Sequence, residues 1–186
     1  SLWAPRPEAV VPERAEAIER AFLDRDFETF AEITMRDSNQ FHATCLDTYP
    51  PIFYMNDISR SVVRIVHAYN EWAGEARAAY TFDAGPNAVL YTLDKYAEEL
   101  GALMLKFYPA MEGDDDYVSN PSYMDKIKRY EIDDGLVRAA EATGREPQSG
   151  DVKKVYFTRS GPGPQSLGLE EAIIDPKTGL NTYRKP

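Results

Sequence analysis

The sequence predicts an α+β domain in which helices pack on one face of a small antiparallel sheet. Three observations carry that prediction. Apolar residues recur at helical spacing from Pro12 to Trp72, two short β-rich runs then flank a single turn, and helical spacing resumes directly afterwards. Pro12-Glu13 suits a first helical turn, and Ala15, Ile18, Ala21 and Phe22 continue the period to a break at Asp24–Asp26. Asp26 is an N-cap candidate for a second helix through Phe27, Phe30, Ile33 and Thr34 into the polar stretch Arg36, Asp37, Ser38, Asn39, with room to continue through Phe41 and Cys45. Pro50-Pro51 ends any helix, because neither proline has an amide to donate. A third helix is expected from about Ser59 to Trp72, with Val62, Ile65, Val66 and Tyr69 on one face and Gly74 as its stop.

Residues 77–82 and 88–94 read as strands around Asp83-Ala84-Gly85-Pro86-Asn87, whose Gly, Pro and Asn are turn formers. A fourth helix follows over 95–107, with Tyr96, Leu100, Leu103 and Met104 directed to the core. From 109 to 150 the chain is polar and carries Asp114, Asp115 and Asp116. It is expected to leave the core, with room for one surface helix between Tyr123 and Ala142. A last strand is expected at 152–159, ending in Ser160-Gly161-Pro162-Gly163-Pro164, followed by a loose tail over 166–186.

At 186 residues the chain fits one domain, 1–186, and 43% hydrophobic with 12% aromatic content supplies a core. Its 21 basic and 31 acidic residues leave a net charge of -10, which argues against nucleic acid as a partner. The one cysteine, Cys45, excludes an internal disulfide and reads as a small buried hydrophobe, pointing to a reducing compartment and a cytoplasmic location. No run approaches the roughly 20 apolar residues that cross a bilayer, so no membrane partner is expected. A start at Ser1 rather than methionine is the pattern of a processed or excised segment.

Several side chains are candidates for chemistry. Taken alone, Asp83 reads as a turn aspartate satisfying nearby amides; the alternative is a carboxylate presented to a ligand from a strand end. Ser38, Asn39 and His42 read either as a polar wall toward substrate or as a helix interruption bonded to local backbone, with His42 closer to a packing residue than to a catalyst. His42, His67 and Asp83 have the residue types of a two-histidine, one-carboxylate metal site, but their spacing gives it no support. Gly161–Pro164 is not a phosphate loop: two of its four residues are prolines and no clear helix follows.

Three segments carry a family resemblance: RDSNQFHATCLDTYPPIFYMND at 36–57, AAYTFDAGPNAVLYTLD at 78–94 and VYFTRSGPGPQ at 155–165. VVPER at 10–14 and DPKTGL at 175–180 add to it. In order and spacing these resemble the carboxyl-terminal half of the mevalonate diphosphate decarboxylase family, a branch of the GHMP kinase superfamily. The resemblance implies a GHMP kinase carboxyl-terminal fold and ATP-dependent conversion of mevalonate 5-diphosphate to isopentenyl diphosphate. It also implies Asp83 as the catalytic aspartate of the DAGPN motif, Ser38, Asn39 and His42 as substrate-binding residues, and a cytoplasmic homodimer. ATP and Mg2+ would be bound mainly by an amino-terminal half, whose Gly- and Ser-rich loop does not occur in these residues. The expectation is half of an active site, inactive by itself. The alternative is a free-standing domain of the same fold, repurposed as a binding or regulatory subunit or as an enzyme on another small acid.

Overall fold

The computed structural model describes residues 2–181, and the chain divides into two compact units, the first ending at Tyr156 and the second starting at Phe157. In the first, a short π-helical turn at Arg6–Val10 runs into α1 (Val11–Leu23), with Pro12 in its first turn. Asp26 caps α2 (Phe27–Leu46) by accepting the Thr29 amide at 3.1 Å. α3 (Asp57–Ala73) opens two residues before the predicted Ser59, because Asn56 and Ser59 form a reciprocal capping box that satisfies two orphan donors. It stops at Gly74, whose φ of 69° is open to glycine without a Cβ penalty.

β1 (Ala78–Thr81) and β2 (Val89–Thr92) pair antiparallel, Ala78 opposite Thr92 and Thr81 opposite Val89. Then come α4 (Asp94–Phe107), α5 (Pro121–Arg129) and α6 (Asp134–Glu141). The class is α+β, as predicted.

Burial follows the helical period. Val62, Ile65, Val66 and Tyr69 of α3 meet Tyr80 and Phe82, Leu100, Leu103 and Phe107 of α4, and Leu136 and Ala140 of α6 in one cluster. Each fully buried large side chain contributes about 1.5–3 kcal/mol of transfer free energy. The presence of Leu136 and Ala140 in that cluster corrects the expectation for 109–150, which packs into the core rather than leaving it. Tyr117 and Val118 are buried too, while Asp114, Asp115 and Asp116 stay exposed as expected. The two helices start where caps allow: Asn120 before Pro121 for α5, and Asp133, whose carboxylate accepts the Gly135 and Leu136 amides, for α6.

The strand expected at 152–159 is also corrected. Within the first unit it is a single parallel bridge, Val155 to Val118, made by the Val155 amide on the Tyr117 carbonyl and the Ser119 amide on the Val155 carbonyl. Without a longer partner, β propensity alone does not extend a ladder.

α2 lies along β1, and its Phe30 ring meets Tyr91 of β2 edge-on at 5.6 Å. Arg6, itself buried, grips Asp37 of α2 with two hydrogen bonds of 2.9 and 2.8 Å, and Arg14 reaches the same carboxylate at 3.0 Å. Burial pushes the Asp37 carboxyl up, but the hydrogen bonds from Arg6 and Arg14 prevail and hold it below the usual carboxylate range. Cys45 is buried and unpaired with another cysteine.

The second unit holds a 3-10 turn at Leu169–Glu171 and a small hairpin closed by the bridge between Ile174 and Asn181. The predicted loose tail thus contains local structure, and its residues 182–186 lie outside the described ones. Among the described residues no helix is long and apolar enough to cross a membrane.

Candidate active site

The site is built around the outer edge of β1, the edge that β2 does not pair. At its start, Asn70 of α3 acts as a strand would: Oδ1 accepts the Arg77 and Ala78 amides at 3.0 Å each, and Nδ2 donates to the Ala78 carbonyl at 2.8 Å. At its end, α2 does the same to Phe82. Ser38 Oγ accepts the Phe82 amide at 3.0 Å, and His42 Nε2 lies 3.2 Å from the Phe82 carbonyl. A carbonyl only accepts, so His42 carries its proton on Nε2 in this contact.

The alternation of an extended chain then separates two neighbours. Phe82 is buried in the core cluster and Asp83, next to it, is exposed. Among the described residues the Asp83 carboxylate has no hydrogen-bond or ion-pair partner. The turn amide that a turn aspartate would take, that of Gly85, donates instead to the Asp83 main-chain carbonyl at 2.8 Å. That disposes of the turn-capping role. The far end of the loop is tied down by Ser59, 1% exposed, whose hydroxyl lies 2.9 Å from the Pro86 carbonyl and 3.1 Å from Asn56 Oδ1. Asp83 therefore sits on a loop held at both ends, with its charged group unspent. A Cβ at Gly85 would meet nothing within 4 Å, so the backbone is open there to an approaching group.

Ser38, Asn39 and His42 are brought together along one strand end, but in different ways. Ser38 is 4% exposed and turned to the Phe82 backbone. Asn39 is exposed, and its Oδ1 accepts the Tyr80 hydroxyl at 3.0 Å. His42 is half-buried among the rings of Phe41, Tyr54 and Phe82. His67 reaches them only through Tyr80, whose hydroxyl lies 3.1 Å from His67 Nε2 and donates to Asn39 Oδ1, and among the described residues no three His, Cys, Asp or Glu side chains group as metal ligands. Sequence reasoning missed Ser59, Asn70 and Tyr80. Asn56-x-x-Ser59 was a readable capping signal; nothing local marked Asn70 or Tyr80. A cleft of 440 Å³ between α4, α5 and α6, lined in part by Lys106, Lys128 and Tyr130, shares no lining residue with the Asp83 loop.

Over residues 1–167 the chain matches the family described as mevalonate 5-diphosphate decarboxylase C-terminal domain. It is 48% identical over 175 residues to the diphosphomevalonate decarboxylase of Aspergillus fumigatus, covering 94% of this chain and 42% of that protein. Against the Saccharomyces cerevisiae diphosphomevalonate decarboxylase the identity is 42% over 179 residues, covering 96% and 44%. The solved structure of mevalonate diphosphate decarboxylase from Trypanosoma brucei superposes with a TM-score of 0.80 at 30% identity, over 93% of this chain and 44% of that one. A second solved mevalonate 5-diphosphate decarboxylase gives 0.71 at 39% identity, over 97% and 44%. The chain spans about two-fifths of the length of these curated relatives. With sequence and fold in agreement over nearly all of it, the chain belongs to the family of mevalonate 5-diphosphate decarboxylase C-terminal domains.

Proposed function

We propose that this chain is the carboxyl-terminal half of an ATP-dependent carboxy-lyase that converts mevalonate 5-diphosphate to isopentenyl diphosphate. Asp83 is its catalytic residue. The observation that carries the reading is a carboxylate left without a partner on a loop that α2 and α3 hold rigid. Folding does not use that charge. A carboxylate fixed beside the substrate's tertiary hydroxyl accepts or orients its proton, and it stabilises positive charge developing at the tertiary carbon as carbon dioxide departs. Of Ser38, Asn39 and His42, Asn39 is the exposed one and is assigned the substrate contact.

The Gly161–Pro164 turn is not a nucleotide cradle. Gly161–Pro164 has two positions without amide donors, and the chain's net charge of -10 repels a triphosphate. ATP and Mg2+ are therefore assigned to the part of the relatives that this chain does not span, and no step is routed through them here. The isolated chain is expected to be inactive, and the complete protein to be a cytoplasmic homodimer.

The test is reconstitution. The chain is mixed with an amino-terminal half, and phosphate release from ATP plus mevalonate 5-diphosphate is followed. Activity is expected only in the mixture, with Asp83→Asn lowering it by about 10²–10⁴-fold, the range for loss of a positioned acid or base. A complex that forms and stays inactive, or an Asp83→Asn variant as fast as the parent, would overturn the assignment.

A further inference from the structure

We infer that Ser38 and His42 are positioning residues: from one face of α2 they clamp the Phe82 amide and carbonyl, the peptide groups on either side of its Cα, and so aim Asp83, without touching the substrate. The inference rests on the decarboxylase reading for what Asp83 does, but the clamp itself stands on geometry. Residues four apart on a helix share a face. α2 uses that spacing to present one acceptor, Ser38 Oγ at 3.0 Å from the Phe82 amide, and one donor, His42 Nε2 at 3.2 Å from the Phe82 carbonyl. Those two groups are what a neighbouring strand would offer, and among the described residues the sheet has only β1 and β2.

The alternative use of these side chains, as a wall toward substrate, meets two obstacles. Ser38 is 4% exposed, and its hydroxyl is already committed to a buried amide. His42 is wedged among Phe41, Tyr54 and Phe82, with ring centroids 5.1, 6.3 and 6.3 Å away. Asp83 follows Phe82 by one peptide, so the carbonyl that His42 holds belongs to the peptide plane from which the Asp83 side chain departs. If the clamp opens, that plane rotates and the carboxylate swings. A misplacement of about 1 Å at a reacting group costs up to about 100-fold in rate.

The experiment uses Ser38→Ala and His42→Leu, with Ser38→Thr and His42→Gln as conservative partners. Thr keeps an acceptor for the amide and Gln keeps an N–H donor for the carbonyl. Exchange of the Phe82 amide proton is measured by NMR on the chain, and kcat and KM for mevalonate 5-diphosphate on the reconstituted enzyme. Ser38→Ala is expected to accelerate Phe82 exchange by about 10-fold or more, as expected for a lost local hydrogen bond. Ser38→Ala and His42→Leu are each expected to lower kcat by about 10- to 100-fold while KM stays nearly constant, because positioning acts on the transition state. The Thr and Gln variants restore most of kcat.

A raised KM at constant kcat would make Ser38 and His42 substrate contacts and overturn the inference. Faster Phe82 exchange with kcat unchanged would reduce the clamp to a structural feature and overturn it as well. Asp83→Asn, run alongside, separates the two readings: if it leaves kcat intact, the decarboxylase assignment falls and the aiming role with it, while Phe82 exchange still reports whether the clamp exists.

Discussion

Replacing Glu99 by alanine is expected to be among the most damaging changes outside the apolar core. Glu99 sits on α4 with 12% of its side chain exposed, and its carboxylate gathers three donors. These are the Tyr69 hydroxyl of α3 at 2.6 Å, the Arg77 guanidinium at the entry to β1 at 3.1 Å, and the Tyr130 hydroxyl just beyond α5 at 3.0 Å. Arg77 is further held between the rings of Trp72 and Tyr96, 5.5 and 4.5 Å from their centroids. Removing one partner of a buried pair costs about 3–5 kcal/mol, since the other is left desolvated. Arg77 keeps Glu75 at 3.0 Å, which places Glu99→Ala at the lower end. A loss of about 3 kcal/mol lowers Tm by about 6–12 °C in a domain of this size.

Circular dichroism on heating and urea titration measure this, and a cycle with Tyr130→Phe gives the test its edge. A hydrogen bond to a charged group contributes about 1.5–3 kcal/mol, so Tyr130→Phe alone is expected to destabilise by that order. Combined with Glu99→Ala it adds much less than its own cost, because the shared bond is already gone. Full additivity, or a Tyr130→Phe variant within about 0.5 kcal/mol of the parent, the usual range for an unconnected surface site, would refute the placement of the chain after α5 against α4.

Three further outcomes follow from the same packing. Asn70→Ala removes the acceptor and donor that stand in for a strand at Arg77 and Ala78, and is expected to cost about 2–3 kcal/mol in urea unfolding; a loss below about 1 kcal/mol, the scale of one ordinary hydrogen bond, would contradict it. Gly85→Ala meets open space at a φ outside the left-handed region, so stability is expected to hold or rise by up to about 1 kcal/mol through the unfolded chain. The reconstituted enzyme is expected to show a raised KM, and unchanged kinetics would mean that nothing approaches the loop at Gly85. The third outcome concerns alkaline pH. Burial raises the Tyr69, Tyr80 and Tyr108 hydroxyls above their ordinary range, Glu99 adding to the rise at Tyr69, and burial pushes Tyr117 up to about 12. The folded state thus favours the neutral phenol. That stabilisation is complete below the unfolded value of about 10 and is lost as pH rises through the folded values. The urea midpoint is expected to fall above that pH, with tyrosinate absorbance from these residues appearing together with unfolding. Titration of all tyrosines in an intact fold would refute it.

The elements that were legible in the sequence are those whose signals are local. Gly74 stops α3, Asp26 caps α2, and the two strands around the DAGPN turn fall within a residue or two of their predicted limits. The start of α3 was misread because Ser59 is the third helical residue of a capping box and not its first. The 109–150 segment was misread for a different reason: its mean polarity is high, yet each of its helices is anchored by one pair four apart, Tyr123 with Ile127 and Leu136 with Ala140. Two apolar residues per helix suffice to dock it when they are the ones that reach the core. Composition averages over the rest and hides them.

The direction in which Ser38 and His42 face illustrates a limit of another kind. Hydrogen-bonding side chains on a helix look the same in sequence whether they line a cleft or satisfy a strand edge, because both uses ask for one acceptor and one donor at helical spacing. What decides between them is the far partner, the Phe82 peptide, 44 residues from Ser38 and 40 from His42. The Phe82 amide and carbonyl follow the last β1–β2 pair, Thr81 with Val89, and α2 supplies their partners. Residue type was therefore readable and role was not. The role follows from a strand end that must keep its backbone groups paired while leaving the carboxylate beside it unpaired.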